Sequence, residues 1–157
     1  MSKAAFAGIA LALTTAACHS VESPRTGVPL RELAAGNQCL VSGAELRLLD
    51  NAAEAQTLLG THRLGAKPRP LNVDSDVERV LLVAAGRRPS AGYRLELTKH
   101  DAVPRDGVLH LPVNLSAPGQ GYEAAVITSP CLLLAVRRGR YQRIVVDSLG
   151  LELDLPE

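Results

Sequence analysis

Hydrophobic and polar positions fall into short extended runs over most of this chain. Residues 80–85 are almost continuously apolar, the pattern of a strand buried on both faces. Tyr93, Leu95 and Leu97 alternate with Arg94, Glu96 and Thr98, which predicts a strand with one wet face. Residues 108–115 read as another strand, with Pro112 marking an edge or a bulge. Residues 123–128 and 131–136 are expected strands separated by Ser129-Pro130. Arg138-Gly139-Arg140 then predicts a hairpin turn into residues 141–146. Leu149, Leu151, Leu153 and Leu155 alternate with Gly150, Glu152, Asp154 and Pro156, which predicts one more edge strand. Residues 45–49 suit a short strand nearer the start.

One segment has helical spacing. Asn51 can cap it, Glu54 sits three residues on, and Gly60 follows Leu58-Leu59. The predicted helix covers about residues 51–59, with Ala55, Leu58 and Leu59 on one face. Residues 61–76, with Gly65, Pro68 and Pro70, form a long loop. The expected fold is therefore mainly β: a small antiparallel β-sandwich or partly open barrel with one short helix.

The first 17 residues have a different pattern. Lys3 precedes an uncharged apolar run, 4–13, which is too short to span a bilayer. This reads as a cleaved export signal. Ala16-Ala17-Cys18 resembles the lipobox of bacterial lipoproteins, which implies cleavage before Cys18 and lipid on its thiol. Ordinary signal peptidase cleavage after Ala17 is the alternative. By resemblance to lipoprotein sorting, His19 after the cysteine favours the outer membrane, facing the periplasm. Residues 18–38, with prolines and glycines, read as the lipidated cysteine and a flexible tether. Within them, residues 30–35 suit a short helical turn. A single folded domain is expected over residues 39–157.

Composition narrows function by exclusion. Without the signal, the chain carries 16 basic and 16 acidic residues. No basic stripe suits nucleic acid. Arg137, Arg138, Arg140 and Arg143 cluster, and their expected role is a solvated turn rather than an anion patch. Aromatic content is 3%, with no Trp, which argues against an aromatic-lined ligand groove. Two cysteines remain after Cys18. Cys39 and Cys131 are expected to pair in an oxidising compartment; two separate buried thiols are the alternative.

Catalytic patterns are weak. His19, His62, His100 and His110 form no HExxH or HxH arrangement, so no metal site is expected. Ser129 has no surrounding nucleophile-elbow glycines, and a partnership with His100 or His110 has nothing to recommend it. Asp74 and Asp76 lack the glycine and later glutamate of a calcium loop and are expected to solvate a turn. No cofactor and no small-molecule ligand is indicated.

Two segments stand out: 86–93, which reads GRRPSAGY, and 128–131, which reads TSPC before an aliphatic run. Each has a purely architectural reading, since Pro fixes φ and Gly permits positive φ. Together they resemble the C-terminal domain family of PrcB, a lipoprotein subunit of a secreted-protease complex. The likeness spans about residues 80–146. Gly86, Pro89, Ser90, Gly92 and Tyr93 occupy one motif, Thr128 and Pro130 the other, and Gly119 and Gly121 the turn between. The resemblance implies a membrane-tethered, non-enzymatic module that binds an exported protein, as an accessory or stabilising subunit of an exported protease complex. A second resemblance is to chagasin-like immunoglobulin-fold inhibitors of papain-type cysteine proteases. It rests on Arg88-Pro89-Ser90-Ala91-Gly92-Tyr93 and on Gly119-Gln120-Gly121. Candidate interaction residues on either reading are Arg88, Pro89, Ser90, Gly92 and Tyr93 in one loop and Gly119, Gly121 and Tyr122 in another.

Overall fold

A computed structural model describes residues 27–50, 52–59, 71–119 and 124–156. The fold is mainly β with one short helix and mostly antiparallel sheets, none closed into a barrel. Strands β1 (Val28–Gly36), β2 (Ala44–Leu49), β3 (Glu78–Ala85), β5 (Asp101–Ala102) and β8 (Cys131–Arg137) make the main sheet, in the order β2-β3-β8-β1-β5. Strands β6 (Val108–His110), β9 (Arg143–Val146) and β10 (Leu151–Asp154) form a second sheet, in the order β10-β9-β6. Strands β4 (Arg94–Leu97) and β7 (Val113–Ser116) pair separately. Helix α1 covers Ala52–Leu58.

The aliphatic runs of β3 and β8 follow from their place at the centre of the main sheet. Leu81 and Val83 on β3, with Leu132, Leu134 and Val136 on β8, join one core cluster. Leu95, Leu109, Val113, Ile144 and Val146 from the smaller sheets pack into the same cluster. The alternate residues Val80, Leu82, Ala84, Cys131 and Leu133 belong to a second cluster with Leu49, Ala55 and Leu59 from the helical side. Both faces of these strands are covered, so neither can alternate polar with apolar.

Four expectations need correction. Residues 28–36 are not part of a tether, and residues 30–35 are not helical. They form β1, paired with β8 from Leu30↔Val136 to Gly36↔Cys131. The domain thus begins by Val28, not at residue 39. A bulge between Glu32 and Ala34 shifts the register, so Leu30 serves the first cluster while Leu33 and Ala34 pack on the second. That change of phase hides the period of two.

The second correction concerns Arg138-Gly139-Arg140, which does not make a hairpin. Both edges of β8 are already taken, by β1 and β3. The chain must leave the sheet, and β9 pairs instead with β10 and, in parallel, with β6. The true hairpin is β9–β10, which turns through a 3-10 segment, Asp147–Leu149, and Gly150. Arg143 clamps it by donating to Asp154 at 2.7 Å and Glu152 at 3.5 Å.

Thirdly, residues 108–115 are two strands in different sheets. Pro112 is the corner between them, its carbonyl accepting the Thr98 N–H at 2.8 Å. Finally, residues 124–127 are exposed and in no strand, despite their apolar side chains. The predicted helix is present, with Ala55 fully buried; its caps Asn51 and Gly60 lie outside the described residues. Edge strand β10 is present as expected.

Candidate functional site: a braced rim

The two motifs singled out in the sequence meet at one end of the main sheet. β3 stops at Ala85, whose N–H donates to Pro130 O at 2.9 Å. Gly86 follows with φ 74°, and a Cβ there would lie 2.8 Å from the Ala44 backbone nitrogen. Only glycine fits this turn. The next contact is reciprocal: Arg88 N–H donates to Thr128 O at 2.8 Å, and Thr128 N–H returns to Arg88 O at 2.9 Å.

Side chains lock this bridge. Thr128 is 3% exposed, and its hydroxyl donates to Ser90 O at 2.9 Å. Arg88 curls back to donate to Ala85 O at 2.9 Å, with its guanidinium 5.9 Å from the Tyr93 ring centroid. A cation over a ring face is favourable. Arg88 Nε is buried without a partner among the described residues. Ala91 N–H donates to Ala124 O at 3.2 Å, extending the seam.

The disulfide anchors the other side. Cys39 and Cys131 are bonded, with Cα atoms 6.1 Å apart and a sequence separation of 92. Beside the bond, Ser129 N–H donates to Asn37 O at 2.8 Å and Cys39 N–H donates to Ser129 O at 3.1 Å. A disulfide fits an oxidising, extracytoplasmic compartment. Among the described residues no helix is long and apolar enough to cross a membrane.

Beside exposed Asn37, Gln38 and Arg87, this end offers three large aliphatic side chains to solvent. Leu40 is 67% exposed, Ile127 55% and Val126 49%. Pro89 is also exposed, whereas Arg88, Ser90, Gly92 and Tyr93 are half-buried. Sequence reading missed these three aliphatic residues; an apolar stretch at 124–127 with no free strand edge to pair with was the available signal.

Gly119 is exposed, and a Cβ there would meet nothing within 4 Å. Gly121 and Tyr122 lie outside the described residues, as does Cys18. The Ser129–His100 pairing is not assembled. Ser129 sits at the disulfide end, while the His100 carbonyl accepts from Leu30 near the opposite end of β1. His110 instead pairs with Asp147 at 2.9 Å on the surface. Asp74 Oδ1 accepts the Asp76 N–H at 3.1 Å, the turn role expected of it. Among the described residues no group of three or more His, Cys, Asp or Glu is placed to hold a metal.

No family model, curated protein or solved structure matches the chain.

Proposed function

We propose that this is an exported, lipid-anchored, non-enzymatic binding module whose disulfide-end rim grips another exported protein. The observation that carries this reading is the rim itself. Residues 86–93 and 124–130 are bound to each other by backbone and side-chain hydrogen bonds, yet Leu40, Val126 and Ile127 beside them stay open to water. A preorganised surface loses little entropy when a partner binds, and exposed aliphatic side chains supply the area to be buried. The likeness to the PrcB domain and the lipobox-like Cys18 support the same reading, with an exported protease or its complex as the favoured partner class.

Co-purification of the lipidated chain from native envelopes tests it. Wild type should recover one exported partner in stoichiometric amount, and Val126→Asp with Ile127→Asp should release it. Both residues are exposed, so the fold should survive the change. Undiminished partner recovery by the folded double variant would remove the rim from consideration.

A further inference from the structure

The opposite end of the main sheet carries a second surface. The described residues begin there, at Gly27–Val28. The same end holds the Arg137–Arg140 turn, because Leu30 pairs with Val136 while Gly36 pairs with Cys131. We propose that this end is a seat for the phosphate headgroup of an anionic phospholipid. The proposal rests on the lipid-anchored reading above.

A hollow of about 660 Å³ opens at this point, lined by Val28, His100, Asp101, Arg137 and Arg138 among others. That is room enough for a headgroup. The turn beside it is held rigid. Buried Tyr141 donates its hydroxyl to Arg137 O at 2.7 Å, and Arg138 N–H donates to Val77 O at 2.8 Å. A Cβ on Gly139 would come within 3.0 Å of the Tyr141 ring, so the turn closes tightly on that side chain.

The charges on the turn are available. Among the described residues no carboxylate pairs with Arg137, Arg138 or Arg140. Carboxylates share this end as well: Asp74, Asp76, Asp101, and Glu78, which stands opposite Arg137 in the β3–β8 register and is held by Arg31 at 2.8 Å. Asp74 and Asp76 flank Ser75, whose carbonyl takes Arg138 Nε and Nη2 at 3.2 and 3.1 Å, so that guanidinium offsets them. Asp101 stands over Gly27, where an added Cβ would lie 2.9 Å from its Oδ2. Arg137 and Arg140 are themselves exposed. Exposed Val77 (42%), whose carbonyl accepts the Arg138 N–H, adds apolar surface beside them, a mixture suited to an interface.

Geometry selects lipid over other anions. Cys18 precedes Gly27 by nine residues, a span of at most roughly 30 Å. A lipidated Cys18 would keep this end within roughly 30 Å of headgroups, while the rim lies roughly 25 Å further along β1.

The test uses the mature chain from residue 18 with Cys18→Ser, so that no acyl chain contributes, sedimented with vesicles. Binding should be clear with phosphatidylglycerol-containing vesicles, weak with phosphatidylcholine alone, and lost in high salt. Arg137→Ala with Arg140→Ala should cut binding roughly 25-fold, at about fivefold per arginine, with an unchanged circular dichroism spectrum. Equal binding to both vesicle types, or an unaffected double variant, overturns the proposal. So does full competition by inorganic phosphate at concentrations equal to the lipid phosphate, which would make the seat a free-anion site. Mass analysis of the envelope protein reads the anchor separately: an unacylated Cys18 would remove the lipid-anchored reading without altering the vesicle result.

Discussion

The two ends of the five-stranded sheet solve the same problem, fixing loops beyond strand ends, with different materials. At one end a covalent bond and a seam of backbone hydrogen bonds join residues 37–39, 86–91 and 124–130. At the other, one buried phenol and one guanidinium hold an arginine turn without any covalent link. The first arrangement leaves the larger exposed aliphatic side chains, Leu40, Val126 and Ile127, with Arg87 beside them; the second leaves Arg137 and Arg140 exposed, with Val77 nearby. Apolar area gives affinity for a complementary protein surface, whereas unpaired arginines on a short turn give salt-sensitive attraction to phosphates. Bracing and chemistry therefore divide the molecule into two faces suited to different neighbours.

Breaking the covalent link should produce the largest effect. Replacing Cys39 and Cys131 by alanine releases a loop of about 92 residues, worth about 4–5 kcal/mol in the chain-entropy account. Urea unfolding of the double variant should show that loss. Hydrogen exchange should rise at residues 86–91 and 128–131 well before it rises at 137–141. Uniform loosening of both ends would mean that they are not independent. Gly86→Val should come next, at about 3 kcal/mol, because it combines positive φ with overlap against the Ala44 nitrogen. Thermal unfolding checks it.

How far these ends could be read from sequence depends on the residues. The central strands announced themselves because β3 and β8 are aliphatic on both faces, and the disulfide was expected from two cysteines behind an export-signal-like start. The resemblance named 86–93 and 128–131 together but did not pair them in space; Thr128 bears no local mark of reaching Ser90, 38 residues away. β1 was concealed by Pro29, its terminal glycine and a bulge. The false hairpin after Arg137 shows the limit most clearly. A turn sequence fixes where the chain bends, but whether the next strand pairs backwards depends on a free edge, and β1 had already filled it. The arginines were visible as a cluster; their nearness to Gly27–Val28 was not, because that requires the register of β1.

Two substitutions compare the polar braces. Thr128→Val removes the buried hydroxyl and leaves Ser90 O without its donor, a cost of about 1–2 kcal/mol. At the other end, Tyr141→Phe removes the bond to Arg137 O and should cost about 1 kcal/mol. Burial pushes the Tyr141 phenol above its ordinary value of 10.0, against the opposing pull of Arg79 and Arg138. The folded state therefore prefers the neutral phenol. Its contribution is complete below pH 10.0 and is lost as pH rises through the higher folded value. Urea midpoints across that window should fall more steeply for wild type than for Tyr141→Phe. Parallel curves would show that the phenol does not govern the alkaline limit of this end.

Ser90→Ala should have the smallest effect on stability, under about 0.5 kcal/mol. The seam uses the Ser90 carbonyl, not its hydroxyl, and alanine supplies the same carbonyl to Thr128. The substitution therefore separates two roles of one residue. If the rim grips a partner, Ser90→Ala leaves the urea midpoint in place while the hydroxyl becomes unavailable at the interface, and co-purification of the partner weakens or holds according to whether that hydroxyl is used. Thr128→Val acts oppositely: it loosens the seam and so should weaken partner recovery through lost preorganisation, even though the threonine is buried and touches no partner. A drop in stability for Ser90→Ala as large as that for Thr128→Val would mean that the serine hydroxyl is part of the brace, and the division between a braced seam and an open rim would have to be redrawn.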